Sequence, residues 1–409
     1  MLKKDDEITL IIEDMGSEGE GVARYDGLTL FVKDVLPGDE IRAKIMKMKK
    51  TYGYARLLEI IRPSEFRVKP QCPVARQCGG CQIQHADYEY QLRFKENKVI
   101  NCLRRIGQVE NAADLMEPII GMENPWHYRN KAQFPVGRDR NGKVKIGFYA
   151  GHSHSIIDMD DCMIQDRANA QIIRVMRGLI DECGDELEPY DEKSGRGVLR
   201  HIITRVGAVT GEIMVCLVIN RDDLGKDVRR RIIDELIKLE FENDKSIVSI
   251  SLNVNRKSTN VIMGDKLITI YGKDSITDYI GDIKYEISPL SFYQVNPLQT
   301  KKLYDTALEY AGLTGGEIVW DLYCGIGTIS LFLAQKAGKV IGVEIVPAAV
   351  RNAKRNAEIN GLTMLNFMPG ALRRWCPVCI GRAEGRSQPM WWWLTRQERA
   401  AMKSCLTQW

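Results

Sequence analysis

Apolar and polar residues alternate in short runs along the first 62 residues, and glycines separate the runs. The runs cover residues 8–12, 21–23, 28–32, 39–45 and 54–61, with turns at Gly16, Gly19, Gly27 and Pro37-Gly38. Alternation with a period of two indicates strands, and several short strands at close spacing are typical of a small barrel. We therefore predict a five-stranded, OB-like β-barrel over residues 1–63.

The middle of the chain, residues 64–285, mixes strand-like and helix-like patterns. Apolar runs at 202–206, 213–219 and 247–255 indicate buried strands, and residues 223–240 have the spacing of an amphipathic helix. This mixture predicts a central α+β domain.

From residue 286 the pattern becomes that of an α/β domain. It predicts an apolar strand ending at Asp321, a turn through Gly325 and Gly327, a helix over 329–336 and a second strand ending at Glu344. That sequence of elements opens a Rossmann-like sheet, and the acid after its second strand is placed to bind ribose hydroxyls. We predict that residues 286–362 begin such a domain, which makes the chain an α/β multidomain protein.

The same glycine loop discriminates between nucleotide ligands. A dinucleotide loop needs a third glycine where Ser330 stands, and the charge of Asp321 would repel a pyrophosphate. S-adenosylmethionine carries a sulfonium cation and an ammonium group but no phosphate, so a carboxylate is tolerated beside it. The loop therefore favours a methyl donor over a nicotinamide coenzyme, with a βαβ unit that binds no ligand as the third interpretation.

Composition adds limits on compartment and partners. The chain has 409 residues, of which 44% are hydrophobic and 27% charged, and no apolar run approaches the length of a membrane span. Eleven scattered cysteines suit a reducing compartment, so we expect a cytoplasmic protein. The net charge of +4 comes from residues 371–409, which hold seven Arg and Lys against two Glu. Any contact with nucleic acid must therefore come from local patches in the remaining residues.

Three cysteines lie close together in Cys72-Pro-Val-Ala-Arg-Gln-Cys78-Gly-Gly-Cys81. Several thiolates on one short loop favour a soft metal or an iron–sulfur cluster. Cys162 is the best candidate for a fourth ligand. Zinc is the main alternative, because four-cysteine sites also suit it, and unconnected buried cysteines are the other.

Two segments combine basic and aromatic residues. Trp126-His-Tyr-Arg-Asn-Lys131 contains Arg129 and Lys131, which could bind phosphates while the aromatic rings stack on bases of single-stranded RNA. Four lysines between residues 44 and 50, with Tyr52 and Tyr54, could do the same on the barrel. A polar strand edge and a solvated hairpin are the alternatives.

With these features in place, residues 1–362 resemble the uracil-C5 methyltransferases that act on 23S ribosomal RNA. The barrel is similar to their TRAM domain, and the cysteine loop with Cys162 matches their 4Fe–4S ligands. The segment Pro289-Leu-Ser-Phe-Tyr-Gln-Val-Asn296 is similar to the one before their Rossmann-like domain. Asp321-Leu-Tyr-Cys-Gly-Ile-Gly matches their glycine loop.

The resemblance implies S-adenosylmethionine-dependent methylation of uridine C5, with 23S ribosomal RNA as the partner, transfer RNA left open, and a monomeric enzyme. Phe292 would lie near the target base. In that chemistry a cysteine thiolate adds at C6 of a uracil that has left its stack, and C5 takes the methyl group from the donor. A general base then removes the C5 proton, and the thiolate leaves C6. The implied donor-binding residues are Gln294, Asp321, Tyr323, Gly325 and Glu344, and the implied cluster ligands are Cys72, Cys78, Cys81 and Cys162.

Residues 363–409 depart from that family. The family continues with Asp-Pro-Pro-Arg-x-Gly and then with Ser-Cys-Asn-Pro, which carries the nucleophile, whereas this chain has a Trp391-Trp-Trp393 run and an arginine-rich end. Trp and Met have one codon each, so the coding bases are tightly constrained there. Read from the third base of the Trp391 codon, they can spell Val-Val-Val-Asp-Pro-Pro-Arg-Lys-Gly-Cys-Asp-Glu.

We hypothesise a frameshift near residue 363, which makes residues 363–409 an out-of-frame tail and leaves the Rossmann-like domain incomplete. No catalytic residue is assigned, and we predict that the chain as it stands is inactive. The alternatives are a non-catalytic RNA-binding iron–sulfur protein and a nicotinamide-dependent iron–sulfur oxidoreductase.

Overall fold

A computed structural model describes residues 2–151 and 153–370, together with the backbone of residues 390–393. It divides into two compact units. The first comprises Met1–Asn124 with Gly147–Met159, and the second comprises Pro125–Ile146 with Asp160–Trp409. No helix among the described residues is long and apolar enough to cross a membrane.

The amino-terminal residues form one six-stranded sheet in the order β1-β5-β6-β4-β3-β2. Its strands are β1 (Glu7–Ile11), β2 (Asp14–Met15), β3 (Gly21–Tyr25), β4 (Leu28–Val32), β5 (Glu40–Met48) and β6 (Tyr52–Arg62). The alternating pattern predicted these strands because every second side chain faces the core. In β5, for example, Ile41, Ala43 and Ile45 are fully buried.

The predicted five-stranded, OB-like barrel is not shown, because the described strands form an open sheet of six strands. The strand order has two ends, β1 and β2, and the two-residue β2 pairs only with β3. Residues 12 and 13 alone separate these end strands, so the sheet must curve back on itself. The Glu13 amide donates to the Val22 carbonyl at 2.8 Å, but no strand ladder joins β1 to β2.

Helix α1 (Tyr88–Arg105) follows the cysteine loop in the first unit. The Asp87 carboxylate accepts from the Tyr90 amide at 2.6 Å and so caps the helix. Upstream, the buried Asp39 carboxylate accepts from the Arg67 guanidinium and, at 2.8 Å, from the Ser64 amide. These contacts fix the chain where it leaves β6 for the cysteine loop.

The second unit contains a mainly antiparallel sheet in the order β13-β12-β11-β10-β7-β8. The elements from β7 onward are β7 (Lys131–Arg138), β8 (Val144–Tyr149), β9 (Ile156–Asp158), α2 (Ala168–Cys183), β10 (Leu199–Val206), β11 (Glu212–Ile219), α3 (Lys226–Ile237), β12 (Ser246–Val254) and β13 (Lys266–Gly272). The second half of strand β8 belongs to the first unit, where it pairs with β9. The three strands and the amphipathic helix predicted for this region are confirmed.

The carboxy-terminal part is an α/β layer with a short antiparallel hairpin. Its elements are β14 (Ile276–Ile280), β15 (Ile283–Ile287), α4 (Pro297–Ala311), β16 (Ile318–Asp321), α5 (Thr328–Leu333), β17 (Lys339–Glu344), α6 (Pro347–Ile359), β18 (Leu365–Pro369) and β19 (Met390–Trp393). The four strands β18-β17-β16-β19 are all parallel, which is the order of a Rossmann-like sheet around its first strand. The predicted strands ending at Asp321 and Glu344 are confirmed.

Candidate functional site

The glycine loop lies between β16 and α5, at the carboxyl end of the parallel strands. Gly325 and Gly327 both have left-handed backbones, with φ of 55° and 83°. A Cβ added to Gly327 would come within 2.7 Å of Leu331 and 3.0 Å of Phe367, whereas one added to Gly325 would meet nothing within 4 Å. Gly327 is thus required by packing, and Gly325 borders open space where a ligand can approach the backbone.

Asp321 ends β16 and is completely buried. The Ser330 hydroxyl donates to its Oδ2 at 2.6 Å, while Oδ1 accepts no hydrogen bond of normal geometry within the described part of the chain. Burial raises the pKa of Asp321 to about 6, although the Ser330 hydroxyl and the Tyr323 amide oppose that rise. A buried carboxylate with an oxygen to spare is suited to a cationic ligand.

Glu344 ends β17 and faces the same loop. Its Oε2 accepts from the Gly325 amide at 3.1 Å and its Oε1 from the Val346 amide at 2.8 Å. The carboxylate therefore holds the glycine loop in place. Because each carboxylate oxygen has two acceptor positions, it can still accept hydrogen bonds from a ribose.

The segment before α4 contains the other residues assigned to the donor and the base. Gln294 is half-buried, and its carbonyl accepts from Asn130 Nδ2 at 3.1 Å. Phe292 is 67% exposed, which suits a ring that stacks on a base. The structure joins Gly325 to Glu344 directly, whereas no hydrogen bond among the described residues joins Gln294 to either of them.

Three polar residues of this region were missed as functional positions by the sequence argument. Ser330, read only as a missing glycine, supports Asp321. Asn130 holds Gln294. Asn356 is fully buried in α6, donates to the Ile326 carbonyl at 3.1 Å and accepts from the Glu286 amide. An asparagine on the apolar stripe of a predicted helix is the signal that could have identified it.

The predicted RNA-binding residues occupy two places, one in each unit. In the second unit Arg129 and Lys131 are half-buried at the start of β7, and burial beside Arg205 lowers the pKa of Lys131 to about 8. In the first unit the rings of Phe31, Tyr52 and Tyr54 lie 5.7–6.0 Å apart. Phe31 and Tyr54 line a cavity of about 680 Å³, together with Lys33 and Arg76.

The cysteine loop borders the same cavity of the first unit. Cys72 is buried, Cys78 and Cys81 are half-buried, and the Gly80 amide donates to Cys78 Sγ at 3.4 Å. Burial and the neighbouring Cys72 raise the pKa of Cys78. Within the described residues no group of three or more His, Cys, Asp and Glu is arranged to hold a metal ion, so the predicted cluster is not shown. Cys162 belongs to the second unit.

Comparisons with known proteins agree with this architecture. Residues 87–370 match the family model described as tRNA (Uracil-5-)-methyltransferase, and residues 3–58 match the TRAM domain. An uncharacterised RNA methyltransferase of Halalkalibacterium halodurans is 49% identical over 98% of this chain and 82% of its own length. Another, from Clostridium acetobutylicum, is 46% identical over 93% of this chain and 80% of its own.

A solved structure extends the comparison to the fold. It is the tRNA (uracil-54, C5)-methyltransferase of Pyrococcus abyssi in complex with S-adenosyl-L-homocysteine, which is 27% identical with a TM-score of 0.69. The match covers 89% of this chain and 79% of that one. The chain is therefore a member of the tRNA (uracil-5-)-methyltransferase family of RNA methyltransferases and carries a TRAM domain at its amino-terminal end.

Proposed function

We propose that this protein is built to transfer a methyl group from S-adenosylmethionine to C5 of uridine in 23S ribosomal RNA. The observation that supports the donor most directly is the wholly buried Asp321 carboxylate beside an open glycine loop, whose Oδ1 accepts no hydrogen bond of normal geometry among the described residues. A nicotinamide coenzyme would bring a pyrophosphate to this carboxylate. The nicotinamide alternative is also disfavoured because the relatives named above are methyltransferases.

In this proposal each residue of the site has a defined task toward the donor. Asp321 balances its positive charge, Gly325 lets the backbone approach it, and Glu344 accepts from its ribose hydroxyls. Gln294 and Tyr323 complete the site, as the family resemblance implies. The bound donor supplies an electrophilic methyl group.

The RNA side of the proposal rests on exposure and charge. The exposed ring of Phe292 can stack on a uridine that has left its helix, and Arg129 and Lys131 can bind the neighbouring phosphates. Lys131 has no acidic partner among the described residues and keeps its positive charge for RNA. The rings and basic side chains around the first unit's cavity offer a second contact for a single strand.

We expect the affinity for S-adenosylmethionine to rise with pH up to about pH 6 and then to level off. The raised pKa means that Asp321 is protonated below about pH 6, and only the carboxylate attracts a cation. Below that pKa, affinity should fall by about tenfold for each pH unit. Burial raises the pKa of Tyr304 to about 12 and that of Cys324 well above its usual range, so neither titrates in this interval. Calorimetric titration of the 409-residue chain from about pH 5 to about pH 8 measures the profile.

Two variants control this experiment, and a second ligand tests the proposed function. Asp321→Asn should flatten the profile, and Ser330→Ala should move its midpoint to higher pH because the charged form loses a hydrogen bond of 2.6 Å. A flat profile in the unchanged protein would remove Asp321 from the donor site. Binding of NADH without binding of S-adenosylmethionine would overturn the proposed function.

The choice of 23S ribosomal RNA is testable by direct competition. The proposal takes ribosomal RNA from the family resemblance of the TRAM domain and cysteine loop, whereas the Pyrococcus relative is named for uracil-54 of tRNA. A labelled 23S fragment should be displaced from the protein by unlabelled 23S fragments more readily than by unmodified tRNA. The reverse order would identify transfer RNA as the substrate.

We further propose that Cys72, Cys78, Cys81 and Cys162 bind a 4Fe–4S cluster. Three of the thiols share one loop, and Gly79 lets that loop pass close to the Tyr149 carbonyl, which a Cβ would approach to 3.0 Å. Anaerobic reconstitution with iron and sulfide should give a broad visible absorption that bleaches on reduction. Cys78→Ser should remove this absorption, and Cys102→Ser, which replaces an exposed cysteine of α1, should not. Stoichiometric zinc in place of iron would refute the cluster.

A further inference from the structure

The segment that carries Phe292 and Gln294 is attached to the central sheet of the second unit by three hydrogen bonds. Arg205 Nη2, on β10, donates to the Ser291 carbonyl at 2.7 Å. Asn130, just before β7, donates through Nδ2 to the Gln294 carbonyl at 3.1 Å and through its amide to the Val295 carbonyl at 3.0 Å. Hydrogen bonds from the central sheet therefore hold the backbone that carries the exposed ring of Phe292 and the side chain of Gln294.

Burying the charged side chain of Arg205 at this attachment carries a free-energy penalty. It is 2% exposed, and no ion pair joins it to an acid within the described part of the chain. The charge of Asp278 attracts Arg205 without forming an ion pair, and its carboxylate accepts from the amides of Ala208 and Val209 at 3.0 and 2.9 Å. Burial lowers the pKa of Arg205 to about 10, so the guanidinium keeps its charge at neutral pH.

Packing alone does not explain an arginine here. An unpaired buried charge carries a desolvation penalty that an apolar side chain of similar volume avoids. What an apolar side chain cannot supply is a donor for the Ser291 carbonyl. The arginine also has Nη1 without a partner, so its stability contribution is further reduced.

The neighbouring residues explain why this carbonyl matters. Tyr293 points inward and is 2% exposed, while Phe292 on one side is 67% exposed and Gln294 on the other is half-buried. The Tyr293 hydroxyl makes no hydrogen bond of normal geometry among the described residues, although the charges of Asp278 and Arg205 act on it. Arg205 thus holds the Ser291 carbonyl at the start of the segment, where Ser288 and Asn352 bond to the Ser291 hydroxyl, and Asn130 holds the end of the segment.

We infer that Arg205 is a positioning residue that holds the Ser291 carbonyl so that Phe292 and Gln294 meet the target base and the methyl donor. This inference rests on the proposed function for the roles of those two side chains. That Arg205 holds the Ser291 carbonyl follows from the hydrogen bond alone and does not depend on the proposed function.

The chain offers a matched control on the same strand. Arg200, also on β10, is 6% exposed and donates to the carbonyls of Asn255 and Lys257 at 2.9 and 2.8 Å. It therefore anchors a different loop with the same chemistry. Both Arg205→Met and Arg200→Met remove a buried arginine, but only Arg205→Met removes the hydrogen bond to the Ser291 carbonyl. Comparing the two variants therefore isolates the effect of that hydrogen bond.

Two measurements on the 409-residue protein test the inference. Hydrogen exchange of the amides in residues 291–295 should accelerate about ten- to a hundredfold in Arg205→Met, and affinity for S-adenosylhomocysteine should fall by about tenfold or more. Arg200→Met should change neither, and should accelerate exchange only around residues 255–257. The melting temperature of Arg205→Met should fall little despite the lost hydrogen bond, because the variant also removes a buried charge.

Arg205→Lys provides the second variant in case the methionine variant does not fold. It keeps the charge but replaces the planar fork, so faster exchange in residues 291–295 is again expected. Unchanged exchange and unchanged affinity in a folded Arg205 variant would overturn the inference, and so would equal losses in the Arg200 variant. If the unaltered protein binds no S-adenosylhomocysteine, the proposed function fails, while the exchange measurement still decides whether Arg205 holds the segment.

Discussion

If the reading frame is displaced near codon 363, as we hypothesise, restoring it is expected to turn a chain that we predict to be inactive into an active RNA methyltransferase. The chain as it stands contains no Ser-Cys-Asn-Pro, and without that thiolate the uracil ring has no nucleophile at C6. Methyl transfer should therefore be undetectable with the 409-residue protein. It should be measurable, from labelled S-adenosylmethionine to a uridine-containing 23S fragment, once the gene is read in the displaced frame.

One structural observation supports this expectation. Strand β19 covers Met390–Trp393 and lies parallel to β16, with Trp393 opposite Asp321. In the displaced frame the bases from this stretch onward can spell an apolar strand followed by Asp-Pro-Pro-Arg. Those residues would then follow the strand next to β16, at the carboxyl edge where open α/β sheets bind their ligands. The rest of the tail, residues 371–389 and 394–409, lies outside the described residues.

Where the displaced frame proves to encode a Ser-Cys-Asn-Pro motif, the control is the restored chain with that cysteine changed to alanine, which should lose all methyl transfer. Nucleotide sequencing across codons 355–409 tests the premise independently. Methylation by the unaltered 409-residue chain would refute both the inactive tail and the need for that thiol.

Gly327→Ala is expected to lose mainly stability, whereas Gly325→Ala is expected to lose mainly affinity for the methyl donor. At Gly327 the new Cβ meets Leu331 and Phe367 in a left-handed backbone, so the free energy of unfolding should fall by about 2–4 kcal/mol. At Gly325 the Cβ enters open space, so the cost should be only the left-handed strain, about 1 kcal/mol. Donor affinity, however, should fall by about ten- to a hundredfold because the Cβ occupies the space that the donor needs.

Gly312 is the matched control for Gly325. It has the same φ of 55°, a Cβ there would also meet nothing within 4 Å, and it ends α4 away from the glycine loop. Gly312→Ala should therefore lose the same stability and keep full donor affinity in urea unfolding and calorimetric titration. If Gly325→Ala binds the donor as tightly as Gly312→Ala, the donor does not pass over Gly325.

Most strands and their order along the chain were predictable because their side chains follow a simple rule. A strand with one buried face alternates, as β5 does, and a strand buried on both faces is continuously apolar, as β11 is. The glycine loop was predictable for a similar local reason, since only glycine adopts its backbone freely. The OB-like barrel is not shown, because the closure of a barrel depends on which edge strands pair, and the two-residue β2 pairs only with β3.

The candidate site was predictable only in part. Asp321, Gly325 and Glu344 follow from their places at the ends of two consecutive strands. Asn130 and Arg205 could not be assigned to Gln294 and Ser291, because 164 and 86 residues separate these pairs along the chain. No local pattern carries information about such distant partners.

By itself, the amino-acid sequence determined the family, the glycine loop and the carboxylates at the ends of β16 and β17. It could do so because these features depend on neighbours along the chain. The tertiary structure alone decided that Asp321 is wholly buried, that Ser330 donates to it, and that Arg205 donates to the segment carrying Phe292 and Gln294. Burial and hydrogen bonding between distant residues arise only when the sheets and helices pack, and they set both the charge of a carboxyl group and the position of a loop.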